Sequence, residues 1–152
     1  MLFFTHLLLG LALFLFTKDF LQGGNAIIIF GLVLLGSILP DIDSEESKIH
    51  RWSGIIGRII TFFSRHRGFF HAMFLYVFLA AAISYFFGAY YGLALLIGYF
   101  AHLMGDMLTL DGVAPLYPFS KRRISGPVRV GGILEAVVVV ILLGLIVWKI
   151  IK

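Results

Sequence analysis

The chain has no cysteine. A disulfide framework and a thiolate-ligated zinc site are therefore excluded, and any metal must be held by histidine and carboxylate. Charge is also scarce: Asp, Glu, Lys and Arg make up 13% of the 152 residues, while 61% are hydrophobic and 16% aromatic. With a mean hydropathy of +1.03, this composition excludes an ordinary soluble domain and indicates an integral membrane protein. No internal repeat, low-complexity tract or separate soluble domain stands out, so residues 1–152 are read as a single integral membrane domain. The first apolar stretch has no basic residue before it and no small-residue cleavage site after it, and is expected to be a retained span rather than a signal peptide.

Five apolar segments are present, at about 1–20, 26–39, 70–87, 89–108 and 132–151. A helical span needs about 20 residues, so the second, bounded by the turn-like Gln22-Gly23-Gly24-Asn25 and by Pro40, is short and is expected to be tilted or thinly buried. The predicted fold is all-α: a polytopic helical bundle of about five spans. One interfacial amphipathic helix is added in the loop 40–69, where Arg51, Arg58 and Arg65 recur every seven residues beside Trp52, Ile55, Ile56, Ile59, Phe62 and Phe63. Five spans put the loops 40–69 and 109–131 on the face of the N-terminus. That face holds nine of the twelve basic residues: Lys48, Arg51, Arg58, Arg65, Arg67, Lys121, Arg122, Arg123 and Arg129. The positive-inside rule makes it cytoplasmic and places the chain in the inner, or plasma, membrane. Lys18, Lys149 and Lys152, with Tyr85, Tyr90, Tyr91 and Trp148, fall at the opposite interface. The net charge of +4 is assigned to topology and to contacts with membrane lipids, and no nucleic acid partner is expected. Gly88, Gly92 and Gly98 suit close helix packing either within one chain or between copies, which leaves the oligomeric state open.

The few ionisable residues of the apolar segments fall at one level. His6 lies early in the first segment, Asp41 and Asp43 follow the second, His71 opens the third, His102 and Asp106 end the fourth, and Glu135 begins the fifth. Ionisable side chains at membrane depth are costly and point to a site. His102 and Asp106, four residues apart, share one helical face and can hold one ion. Taken singly, the others have plainer readings: a hydrogen-bonded interior histidine for His6, turn residues for Asp41 and Asp43, and a helix-dipole partner for Glu135. His50 and Asp111 are read as loop residues. His66 and Arg67, just ahead of His71, add a further candidate ligand and a guanidinium suited to phosphate oxygens. The expected metal ligands are thus drawn from His6, Asp41, Asp43, His66, His71, His102, Asp106 and Glu135. Asp41, Asp43, Arg67 and Arg122 (or Arg123) are the expected catalytic groups.

Thr5-His6, LPDID at 39–43, HRGFFHA at 66–72 and GYFAHLMGDMLTLDGVAPLYP at 98–118 together resemble the YdjM-like family of inner-membrane metal-dependent hydrolases. That family is distantly similar to the zinc-dependent phospholipase C and single-strand nuclease fold. The resemblance implies one site from Asp41 or Asp43 with His71, His102 and Asp106, and a second from His6 with Asp106. Glu135 would belong to a third site or to the surroundings of these two. The implied cofactor is a divalent metal, two ions of zinc or alternatively manganese. The implied reaction is hydrolysis by metal-bound hydroxide of an amphiphilic, lipid-like phosphoester at the cytoplasmic interface. Two other readings compete with it: an ion-binding transport protein, and a structural membrane protein with a non-catalytic metal.

Overall fold

The computed structural model describes residues 1–43, 54 and 69–152, without the side chains of Asp43 and Phe69. The amphipathic helix expected around Arg51, Arg58 and Arg65, together with His50, His66 and Arg67, lies outside the described residues. Five α-helices are present among those described: α1 (Phe3–Thr17), α2 (Ala26–Ile38), α3 (Met73–Phe87), α4 (Ala89–Leu108) and α5 (Ile133–Ile151). Each coincides with one of the five apolar segments. No strand forms among these residues; only isolated bridges, Thr109 with Val128 and Val113 with Ile124, tie the loop after α4 into a compact shape.

The span count is where sequence and structure part. Among the described residues, three helical stretches are long and apolar enough to cross a membrane: Phe3–Leu21, Ala89–Leu108 and Ile133–Ile151. The stretches Ala26–Ile42 and Met73–Phe87 are apolar but shorter. At 1.5 Å per residue the 13 residues of α2 reach only about 20 Å, against a hydrocarbon core of about 30 Å. The turn at Gln22–Asn25 and Pro40 set this length. Asn25 caps α2 by accepting from the amides of Ile27 (3.0 Å) and Ile28 (3.3 Å), and beyond Ile38 the chain tightens into the 3-10 turn Leu39–Asp43.

The helices alternate in direction. At one end the start of α1 meets the ends of α2 and α4 and the start of α5, through contacts of His6, Asp41, Asp106 and Glu135. At the other end the Tyr91 hydroxyl accepts from the Asn25 amide (2.9 Å), Phe16 lies against Trp148, and Lys149 and Lys152 sit over the Phe16 and Trp148 rings. The lysines and aromatics expected at the opposite interface thus gather at the end away from the histidines.

α4 is the axis of the bundle, packed against α1, α2 and α3. Its closest neighbour is α2, because Gly36 and Gly98 remove side chains where the two backbones cross. A Cβ on Gly36 would meet the Leu95 carbonyl oxygen, and one on Gly98 the Val33 carbonyl oxygen and, at 2.9 Å, the Ser37 nitrogen. Gly92 does the same towards Ala80 and Ser84 of α3. Gly92 and Gly98 therefore serve contacts within the chain. In membranes, where lipid tails are as apolar as leucine, such close van der Waals packing replaces the hydrophobic drive between helices. The stacked Tyr76 and Tyr99 rings (4.0 Å, 9°) with Leu95, Leu103 and Val113 fill the space between α3 and α4.

Candidate metal centre

The alternating helices bring His6, Asp41, His71, His102 and Asp106 together at one end of the bundle. His6, His71 and His102 are fully enclosed, Asp106 is 1% exposed and Asp41 15%. His102 and Asp106, one turn apart on α4, supply the centre. The His102 Nδ1 lies 2.9 Å from the Ser37 carbonyl oxygen. A carbonyl only accepts, so the proton of a neutral ring belongs on Nδ1, and Nε2 presents a lone pair. That Nε2 faces His71 Nε2 at 3.3 Å, Asp106 Oδ2 at 3.5 Å and Asp41 Oδ1 at 3.9 Å. His71 Nε2 in turn stands 3.5 Å from Asp106 Oδ2 and 3.9 Å from Asp41 Oδ1.

These spacings fit a metal. Ligand atoms about 2.0–2.1 Å from a tetrahedral ion stand about 3.3–3.4 Å from one another. The His71, His102 and Asp106 atoms match that edge within about 0.2 Å, and Asp41 closes the set more loosely. His71, His102 and Asp106 form one group whose ligand atoms all lie within 4.8 Å of each other; His6, Asp41 and His102 form another. Two carboxylates and two imidazoles, hard and borderline donors, suit zinc and also manganese. A divalent cation would turn this buried concentration of lone pairs into bonds.

Asp106 also faces a second way. Its Oδ1 accepts from the Met1 amino group at 3.0 Å and lies 3.4 Å from His6 Nε2. The His6 ring stacks on His102 at 4.1 Å and 15°. Both of its nitrogens are buried without a hydrogen-bond partner among the described residues, a costly state that coordination would relieve. The ring fits only because residue 105 is glycine: a Cβ there would come within 2.9 Å of His6 Cε1 and Nδ1.

The polypeptide around the ligands holds them in place. The Tyr99 hydroxyl donates to the His71 carbonyl at 2.8 Å, the Thr109 hydroxyl donates to the Asp106 carbonyl at 2.8 Å, and the Met73 amide donates to Pro115. Such surrounding bonds orient ligands and tune the ion they hold.

Of the readings that the sequence left open for Glu135, the structure favours the helix-start partner. Glu135 is buried at 2% exposure but belongs to neither ligand group; its oxygens accept from Leu2, Thr5 and Gly131. Arg122 and Arg123 are exposed in the loop after α4, where Arg123 donates to the Asp111 carbonyl at 3.2 Å. Asp41 stands 3.9 Å from both His71 and His102; the side chain of Asp43 lies outside what is described. Sequence reasoning missed the Met1 amine, the Ser37 carbonyl and the Tyr99 hydroxyl. A backbone group leaves no compositional mark, and a tyrosine in an apolar helix reads as core.

The apolar antiparallel helices and the enclosed histidine–aspartate cluster define an all-helical membrane protein with a candidate metal centre. A profile of the YdjM inner membrane protein family matches residues 1–151, and the chain belongs to that family. It is similar to the uncharacterized protein YvsG of Bacillus subtilis (strain 168), with 26% identity over 119 residues that cover 78% of this chain and 74% of the relative. No solved structure matches.

Proposed function

We propose that this protein is a membrane-embedded, metal-dependent phosphoester hydrolase acting on an amphiphilic phosphate. The observation that carries the reading is the convergence of His71, His102 and Asp106 at 3.3–3.5 Å from one another, with Asp41 3.9 Å from both imidazoles, in a buried layer at one end of an apolar bundle. A divalent ion held there, most simply zinc, supplies Lewis acidity that polarises a phosphoryl oxygen and acidifies water. The zinc-dependent phospholipase C and nuclease fold, which the motif resemblance implies, would carry the same chemistry. In this reading α2 and α3 also cross, along a locally thinned or tilted path, the basic loops face the cytoplasm, and the centre lies at headgroup depth.

The chain's own groups then divide the work. His71, His102 and Asp106 hold the ion, and the Ser37 carbonyl fixes the His102 ring. Asp41, the most loosely set and most open of the four, accepts a proton from the attacking water. The water oxygen bonds to phosphorus, the phosphorus–oxygen bond to the lipid-like alcohol breaks, and the departing alkoxide takes up the proton that Asp41 removed, directly or through solvent. Arg67 and either Arg122 or Arg123 balance charge on the non-bridging oxygens.

Elemental analysis of the detergent-purified protein tests the reading. One or two zinc or manganese ions per chain, absent from His102→Ala, with metal-dependent release of phosphate from a lipid phosphoester, is the expected outcome. A metal-free wild type after zinc and manganese incubation overturns it.

A structural metal is the second reading, favoured by Asp41 standing 3.9 Å from both His71 and His102: as a fourth ligand it would close the site, and closed four-ligand sites are typically structural. It predicts that adding phosphate or vanadate leaves the visible spectrum of the cobalt-loaded protein unchanged, whereas a hydrolase centre shifts it.

A further inference from the structure

Neither α1 nor α5 is capped by the side chain of the residue just before it. The residues preceding them are Leu2 and Gly132, and neither makes a side-chain cap. A helix start leaves amide donors without partners, and burying them unsatisfied is costly. One carboxylate serves both starts. Glu135 Oε1 accepts from the Leu2 amide and from the Thr5 hydroxyl, each at 2.7 Å, while Oε2 accepts from the Gly131 amide at 2.7 Å. The third residue of a helix reaching back to an amide before its start is half of a capping box, here completed by another helix. Gly131 turns its amide inward with a φ of +72°, a conformation that favours glycine. The positive ends of two helix dipoles meet at this one negative charge.

The residues gripped on α1 surround His6. Leu2 lies one turn before it and accepts from its amide at 3.2 Å, and Thr5 is its neighbour. A His6 ring fitted against Gly105 with no room for a methyl group tolerates little rotation or slip of α1. We propose that Glu135 is a positioning residue, a carboxylate capping α1 and α5 together and thereby setting His6 against Asp106 and His102. This rests on the metal reading of the cluster only for its consequence on affinity; the placement of His6 is independent of any ion.

The experiment uses the full-length protein in detergent, stripped with EDTA and treated with diethylpyrocarbonate, with modified histidines mapped by mass spectrometry. In the wild type the enclosed His6, His71 and His102 are protected. In Glu135→Gln three donors compete for one carbonyl oxygen and an amide NH2 faces a donor. His6 is then expected to react while His71 and His102 stay protected. Thr5→Val, which removes one donor, gives a weaker version of the same selectivity. On reloading, Glu135→Gln binds as many zinc ions as the wild type but about 10-fold or more weakly, as for outer partners of metal ligands.

Protection of His6 in both variants overturns the proposal. So does simultaneous exposure of all three histidines in both, which makes Glu135 a prop for the whole fold. Loss of one ion per folded chain in Glu135→Gln also overturns it, by making Glu135 a ligand. If the wild type takes up no zinc while His6 is selectively freed in the variant, the metal reading fails and the positioning role stands.

Discussion

Helices α4 and α5 have nearly equal lengths, 20 and 19 residues, and opposite surroundings. Over its most apolar window α4 has a mean hydropathy of 1.3 and is 56% buried; the corresponding values for α5 are 2.6 and 17%. The less apolar helix is thus the inner one. α4 is enclosed by three other helices, so it can carry glycines, the hydroxyls of Tyr91 and Tyr99, His102 and Asp106 where other protein groups meet them. α5 packs chiefly on α1 and turns Val140, Ile141, Leu143 and Val147 outward, where lipid demands hydrocarbon. Its one buried acid, Glu135, is answered by backbone and hydroxyl donors at the helix start. In a membrane, polarity marks the interior, because an unanswered polar group facing lipid costs more than one facing a designed partner.

Substitutions on the two helices test that contrast. Asp106→Ala removes the carboxylate shared by His6, His71 and His102. Metal retention measured by elemental analysis should fall by more than the about 10–100-fold typical of outer-shell changes. Full retention would mean that α4 is not the source of the chemistry. Gly98→Leu forces a side chain into the Val33 and Ser37 backbone; thermal unfolding followed by circular dichroism should show at least about 1–3 kcal/mol of destabilisation. Tyr99→Phe deletes the hydroxyl bound to the His71 carbonyl, a loss of about 0.5–1.5 kcal/mol, with weaker zinc binding in titration calorimetry. Val140→Leu on the open face of α5 should stay within about 0.5 kcal/mol of wild type. A large effect there would show that protein rather than lipid covers this face.

The elements were legible because apolar runs and their breaks act locally. Asn25 and Pro40 delimit α2, Gly88 separates α3 from α4, and each helix lies inside the segment expected for it. Span number was less legible, since apolarity alone does not say whether the 13 residues of α2 reach across a bilayer. The ligand layer followed from alternating helices: His6, Asp41, His71, His102 and Asp106 had to share one level. Their lateral convergence did not follow, because it depends on the glycine crossing of α2 and α4, which brings the Ser37 carbonyl within reach of His102. The role of Glu135 stayed open between ligand and helix-dipole partner for a related reason. A carboxylate at a helix start looks alike in sequence whether it meets a cation or the amides of a distant helix.

The bond between Leu2 and Glu135 joins residues 133 apart in the chain, and that between Met1 and Asp106 joins residues 105 apart. Synthesis proceeds at about 5–20 residues per second, so the first helix waits for many seconds in the membrane before the partners that fix it arrive. Until α4 is inserted, His6, Asp41 and His71 lack the side chains they surround, and until α5 follows, α1 lacks its cap. The order of translation thereby puts completion of the cluster after synthesis of α4, and an ion bound there would report that α1, α2 and α4 have come together.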